Sequence, residues 1–166
     1  MTNEPPNFWN FSLGLYDREG VAAACLQLQS NYNLDVNLVL FCYWHGSQYG
    51  EINEQLLADA IDFSESWRQH VVQPLRDTRS WMKFQAARSS QSDDLRERIK
   101  ADELAAEKYQ QERIYEFAMQ SSKEKIGMRG SAASSNNVDK LLQMMGIERD
   151  KMIEDCLQII SRALLQ

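Results

Sequence analysis

The residues best suited to chemistry lie between positions 66 and 88, a segment with five basic residues and one acidic residue. On a helix that turns about 100° per residue, the first four of these cations fall within about 80° of one another. They form what we call the basic stripe: Arg68, Arg76, Arg79 and Lys83. Clustered guanidinium groups chelate phosphate or carboxylate. The spacing therefore predicts a site for an anionic ligand or an acidic partner.

Three ring-bearing side chains accompany the basic stripe and could wall such a site: Trp67, His70 and Trp81. Tryptophan at helical spacing also suits a hydrophobic core. A second interpretation pairs the basic stripe with acidic residues of the first half of the chain or of residues 93–116. Asn37, Gln27 and Gln29 are candidates for a polar pocket, with exposed or capping roles as the alternative.

Other motifs give little support for catalysis or metal binding. The chain has only two histidines, His45 and His70, and no cysteine pair with zinc-ligand spacing. Asp59 and Asp62 share a helical face, but no second aspartate-rich helix faces them. Ser47 lies in GSQYG without the glycine spacing of a nucleophile elbow, and no glycine-rich phosphate loop occurs. We expect no metal, no cofactor and no catalytic residue, so an enzyme is the less favoured class.

Charge and cysteine usage further restrict the functional classes and the cellular compartment that suit this chain. The net charge is −6, and residues 1–65 hold nine acidic residues and one basic residue. So acidic a chain is poorly suited to coat nucleic acid. Its three cysteines are far apart and have apolar neighbours, which indicates reduced, buried thiols. No stretch resembles a signal peptide or a membrane span, so we expect a cytoplasmic protein without membrane association.

The element that must position the basic stripe is a long helix. Apolar residues recur at steps of three and four from Asn53 to about Ala87. Pro74 lies inside this pattern and removes one backbone donor. The sequence predicts either a kink or two abutting helices with Pro74 in the first turn of the second, and the seven-residue period that continues across Pro74 slightly favours the kink.

A second helix, from Asp35 to Trp44, is apolar around nearly its whole circumference, which predicts that it lies at the centre of the fold. Its start is encoded locally. Asn33 suits a left-handed residue that closes the preceding helix, and Asp35 suits the N-cap. The pair Gly46 and Gly50 predicts a loop after this helix.

The whole pattern predicts an all-α bundle of six or seven helices. Residues 8–120 form the helical bundle domain in this prediction. Residues 121–137 are small and polar and predict a flexible linker. Residues 138–166 predict a C-terminal helical hairpin that docks on the bundle, on a second copy or on another protein.

Four strings resemble the signature of a family of small, uncharacterised bacterial proteins: FWNFSLGLY (8–16), GVAAACLQLQ (20–29), LDVNLVLFCYW (34–44) and WRQHVVQPLRDTRSWMK (67–83). Asn33 stands where relatives carry glycine, which fits a left-handed position. Relatives are encoded near a translation-associated ATP-binding-cassette ATPase, so the resemblance implies this ATPase as a partner. It implies no established activity.

These observations lead to three functional hypotheses. The first is a non-enzymatic interaction or adaptor protein that uses the basic stripe or the terminal hairpin against a protein partner. The second is a binding protein or enzyme for a small anionic or isoprenoid-like ligand in a cavity near Trp67, His70, Arg76 and Trp81. The third and weakest is a ribosome- or RNA-associated factor.

Overall fold

The protein is an all-α bundle, as predicted. The computed structural model describes residues 7–85, 89–121 and 128–165. Eight α-helices lie in these ranges: α1 (Phe8–Tyr16), α2 (Val21–Tyr32), α3 (Val36–Gln48), α4 (Glu54–Trp67), α5 (Gln73–Lys83), α6 (Ser90–Ser121), α7 (Ser131–Met144) and α8 (Lys151–Leu164). A π-helical turn (Arg68–Val72) joins α4 to α5, so the described part of the chain has seven continuous helical rods.

Helix α3 lies at the centre of the bundle, and residues 38–46 are all buried. Helices α1, α2, α4, α6 and α7 pack around it. Its start follows the predicted capping: the Asp35 carboxylate accepts a hydrogen bond from the backbone N–H of Asn37 at 2.8 Å. Asn33 closes α2 in the left-handed conformation, with φ 54°. The central helix is thus both capped and buried as its sequence predicts.

The chain accommodates Pro74 by changing its hydrogen-bond spacing before the proline. The backbone N–H of Gln73 bonds to the carbonyl of Arg68, five residues back. Pro74 then lies in the first turn of α5, directly after the π-helical turn. Of the two predicted alternatives, the structure has two helices, but the π-helical turn joins them without a loop.

The predicted linker is wrong for residues 131–137, which form the first half of α7; residues 122–127 lie outside the described part of the chain. The small residues that suggested flexibility allow α7 to approach α3 closely instead. Gly46 is not in a loop but inside α3, and its carbonyl accepts a hydrogen bond from the backbone N–H of Gly130 at 3.0 Å. Asn137 reinforces this contact, because its Nδ2 donates to the Cys42 and Gly50 carbonyls at 3.3 and 3.1 Å.

The two C-terminal helices are parts of the bundle. Helix α7 packs mainly on α3, and α8 packs mainly on α2. The face of α8 that contains Ile153, Cys156, Leu157 and Ile160 is buried. All three cysteines are buried free thiols, as predicted. In the described ranges no helix is long and apolar enough to cross a membrane.

Candidate functional site

The two central cations of the basic stripe are paired with acidic residues of α6. Arg76 bonds to Glu103 at 2.9 Å and to Glu107 at 2.6 Å. Arg79 bonds to the second oxygen of Glu103 at 2.5 Å. Glu103 is buried and the other three side chains are partly buried, so the four charges form a partly desolvated cluster. This is the arrangement of our second interpretation, in which residues 93–116 neutralise the basic stripe.

The outer two cations are separate from this cluster. Arg68 donates from Nη1 to the backbone carbonyl of Asn33 at 3.0 Å, and from Nη2 to the side-chain oxygen of the same residue. Lys83 is exposed and lies 5.8 Å from the ring centre of Phe84. The basic stripe is therefore not one free cationic surface.

The predicted aromatic walls are dispersed. The indole N–H of Trp67 donates to the Ala106 carbonyl at 2.9 Å, and its ring packs on Tyr109. His70 is exposed and lies 2.8 Å from the Ser66 carbonyl oxygen through Nδ1. Trp81 is 65% exposed. The structure does not gather these three rings around a common site.

A cavity of about 390 Å³ nevertheless lies beside the charge cluster, between α1, α2, α3, α5 and α6. Of the predicted site residues, Arg68, Arg76 and Arg79 line it, whereas Trp67, His70, Trp81 and Lys83 do not. Asn37 and Gln29, both candidates for a polar pocket, also line it, and Gln27 does not. Small-molecule sites commonly have volumes of about 300–1,000 Å³.

The wall of the cavity has an apolar and a polar part. Leu13, Leu26 and Leu104 line it, and each is about half exposed, so they lie toward solvent. The polar part consists of a chain of four hydrogen-bonded side chains, which we call the amide relay: Asp35, Gln110, Asn37 and Gln111. Gln110 Nε2 donates to Asp35 Oδ2 at 2.7 Å. Asn37 Nδ2 donates to Gln110 Oε1 at 3.0 Å, and Gln111 Nε2 donates to Asn37 Oδ1 at 2.7 Å.

The amide relay ends in an oxygen without a partner. Among the described residues, three buried side-chain oxygens have no hydrogen bond, those of Ser12, Ser64 and Gln111. Ser12 and Gln111 both line the cavity and are 3% exposed. An unsatisfied buried polar group costs roughly 1–3 kcal/mol. Both oxygen atoms are themselves fully buried, so a molecule in the cavity would not reach them in this conformation.

Burial and charge perturb the carboxyl groups of the cavity in different directions. Burial raises the pKa of Asp35, although Gln110 and two backbone N–H groups favour its ionised form. Burial also raises the pKa of Glu107, against the attraction of Arg76. Burial acts the same way on Glu103, but the two arginines outweigh it and bring the Glu103 pKa below its usual value. Glu103 is therefore the anion that holds the cluster together.

Sequence reasoning missed most of this site. Gln110, Gln111, Glu103 and Glu107 all project from α6, whose apolar stripe is thin. The sequence did contain a signal for this site, namely polar residues at the positions of α6 that should face the core. No group of three or more histidine, cysteine, aspartate or glutamate side chains arranged to hold a metal ion occurs in residues 7–85, 89–121 or 128–165.

Comparisons with known proteins identify the family of the chain but no individual relative. No curated protein and no solved structure matches the chain. One family does match, over residues 7–114, a region that contains every residue lining the cavity. The chain therefore belongs to the family described as protein of unknown function (DUF2390).

Proposed function

We propose that the protein binds a small organic molecule in the cavity between α1, α2, α3, α5 and α6. The observation that carries the proposal is the cavity itself, because its volume of about 390 Å³ suits a small molecule and its wall combines exposed leucines with the polar side chains of the amide relay.

The charges around the cavity favour a ligand without a strong net negative charge. Arg76 and Arg79 are neutralised by Glu103 and Glu107, and Asp35 adds a further carboxyl group to the lining. An anionic ligand would have to displace a buried glutamate from its arginines. The exposed leucines along the cavity offer apolar contact to the rest of the molecule.

The test is native mass spectrometry of the full chain purified without denaturation, combined with a fragment screen by ligand-observed NMR. Ser80 lines the cavity, so Ser80→Trp should fill it and abolish both the co-purified mass and fragment binding. The matched control is Ser66→Trp, an exposed helical serine that does not line the cavity. The proposal would be refuted if no molecule co-purified with the chain and no fragment showed binding that depends on Ser80.

An adaptor role is the second candidate, and one observation favours it. At the end of α5, Trp81 and Phe84 are 65% and 79% exposed and flank the exposed Lys83. Exposed aromatic side chains next to a cation are typical of protein contact sites. Replacing both aromatics by serine should abolish recovery of a specific partner from native lysate without lowering the melting temperature. Unchanged recovery would exclude this surface.

The other partner hypotheses stay predictions. They comprise the translation-associated ATPase, self-association through α7 and α8, and contact with the ribosome or RNA. The cytoplasmic location also stays a prediction.

A further inference from the structure

The cavity is apolar toward solvent and polar farther inside. Helices α1, α2 and α6 each contribute to its wall a leucine and, three residues later, a polar residue: Leu13 and Tyr16, Leu26 and Gln29, Leu104 and Glu107. Residues three apart are neighbours on one face of a helix. The leucines are about half exposed, whereas their polar neighbours are partly buried. A molecule that enters the cavity would therefore direct a polar end inward and keep an apolar part against the leucines.

The three polar side chains of this wall have free hydrogen-bonding atoms that solvent can reach. Neither the Tyr16 hydroxyl nor the Gln29 amide has a hydrogen-bond partner among the described residues. Glu107 Oε1 accepts from Arg76 Nη2 at 2.6 Å, and Glu107 Oε2 accepts from no described residue. The fully buried, unpartnered oxygens described above belong to other residues, and the Glu107 side chain is 29% exposed. A ligand can thus approach the free oxygen of Glu107.

Glu107 receives less compensation from the arginines than Glu103 does. Arg79 directs both of its side-chain hydrogen bonds to Glu103, at 2.5 and 3.3 Å, and Arg76 adds a third at 2.9 Å. Glu107 has a single bond, from Arg76. Burial raises the pKa of Glu107, and the attraction of Arg76 does not overcome this effect. A second positive charge at the free oxygen would favour the ionised carboxylate.

We propose that the ligand of this cavity is an amphipathic amine, with its ammonium group bound by the free oxygen of Glu107 and its apolar body packed against Leu13, Leu26 and Leu104. This inference rests on the proposed function, because it names the ligand class of the same cavity. An alkyl ammonium group, with a pKa of about 10.4 like that of lysine, is charged at neutral pH and has three donors. The same ion pair forms whether Glu107 is ionised beforehand or releases its proton to water on binding.

Three probes with one carbon skeleton test the ligand class by NMR titration of the full chain at neutral pH. Phenylbutylamine is cationic, phenylbutanol is neutral and phenylbutyrate is anionic. The amine should bind about tenfold more tightly than the alcohol, because a hydrogen bond between charged groups contributes more than a neutral one. Phenylbutyrate should bind most weakly. An amine that binds no more tightly than the alcohol would overturn the inference.

The variant Glu107→Gln tests the residue assignment. Glutamine keeps the size of the side chain and an oxygen for Arg76 but lacks the charge. We expect this variant to lose the tenfold preference for the amine and still to bind phenylbutanol, which shows that the cavity is intact. The matched control is Glu112→Gln, which removes the same charge from α6 but does not line the cavity. A preference that persists in Glu107→Gln, or that Glu112→Gln abolishes equally, would contradict the assignment.

A measurement on the native chain needs no variant. Carbon-13 NMR of the side-chain carboxyl groups follows the pKa of Glu107 with and without a saturating probe. Phenylbutylamine should lower this pKa, and more than the pKa of Asp35 or Glu103, the two acids that act on Glu107. Phenylbutanol should not lower it. A Glu107 pKa that the amine leaves unchanged would place the ammonium group elsewhere and refute the inference.

The remaining outcomes separate the inference from the proposed function. A lysine side chain of another protein carries the same ammonium group, but a capped lysine amide covers less of the leucines and should bind more weakly than phenylbutylamine. The reverse order would overturn the small amine as ligand. Binding that Ser80→Trp abolishes, without any preference for the amine, would reject the inference and keep the proposed function. If no probe bound and no molecule co-purified with the chain, both would be rejected.

Discussion

The close approach of α7 to α3 makes Gly46 the most informative single position in the fold. A Cβ atom built on Gly46 would lie 2.4 Å from both the backbone N and the Cα of Ser134, and 2.5 Å from its Oγ. The first two contacts are with backbone, so no side-chain rotation can relieve them. The Gly46→Ala variant must push α7 away from the central helix.

The expected loss of stability follows from two opposed effects. Overpacking a tight interior costs about 1–3 kcal/mol, and a backbone clash belongs at the upper end of that range. Alanine recovers about 1 kcal/mol over glycine within a helix. We therefore expect Gly46→Ala to lower the free energy of unfolding by about 2 kcal/mol.

The assay is urea unfolding followed by far-ultraviolet circular dichroism, and Gly14→Ala is the control. Gly14 is also inside a helix, but a Cβ there has nothing within 4 Å, so the same change should be neutral or raise stability by up to about 1 kcal/mol. Adding Ser134→Ala to Gly46→Ala should restore little, because the backbone contacts remain. Equal unfolding midpoints for Gly46→Ala and Gly14→Ala would show that α7 does not pack on α3 as described.

Two further predictions concern buried ionisable groups. Glu103→Gln removes the anion shared by the two arginines and should cost roughly 3 kcal/mol in urea unfolding. The exposed control Glu112→Gln should cost less than about 0.5 kcal/mol, and similar losses in both variants would contradict the desolvated cluster. Burial lowers the pKa of His45 below its usual 6.5, so the unfolded chain takes up its proton first and stability should decrease as the pH falls through that value. Replacing His45 by glutamine should remove this component of the pH profile, and an unchanged slope would refute the assignment.

The sequence predicted those parts of the fold that depend on interactions between neighbouring residues. The left-handed Asn33 and the N-cap Asp35 were both predicted from residue type and position, and both occur. A cap needs only the next few residues to form its hydrogen bonds, so a short window contains the whole interaction. The central position of α3 followed equally from its apolar circumference.

The errors arose where a residue's role depends on a distant segment. Gly46 and Ser134 are 88 positions apart in the chain, and only their contact explains why both are small. Because the sequence does not show that contact, Gly46 suggested a loop and the small residues of 131–137 suggested a flexible linker. Arg76 and Arg79 posed the same difficulty, since the sequence offered acidic partners in two regions and did not choose between them.

Helix α6 shows why its polar residues are the best guide to function. Its buried face combines Ala106, Ile114 and Ala118 with Glu103, Gln110 and Gln111. Apolar residues at the last three positions would gain burial energy without the desolvation cost of polar groups, so stability alone does not account for them. All three line the cavity, and two of them belong to the amide relay. These three residues depart from what a stable core requires, and they converge on one cavity. This convergence supports the proposal that the cavity binds a ligand.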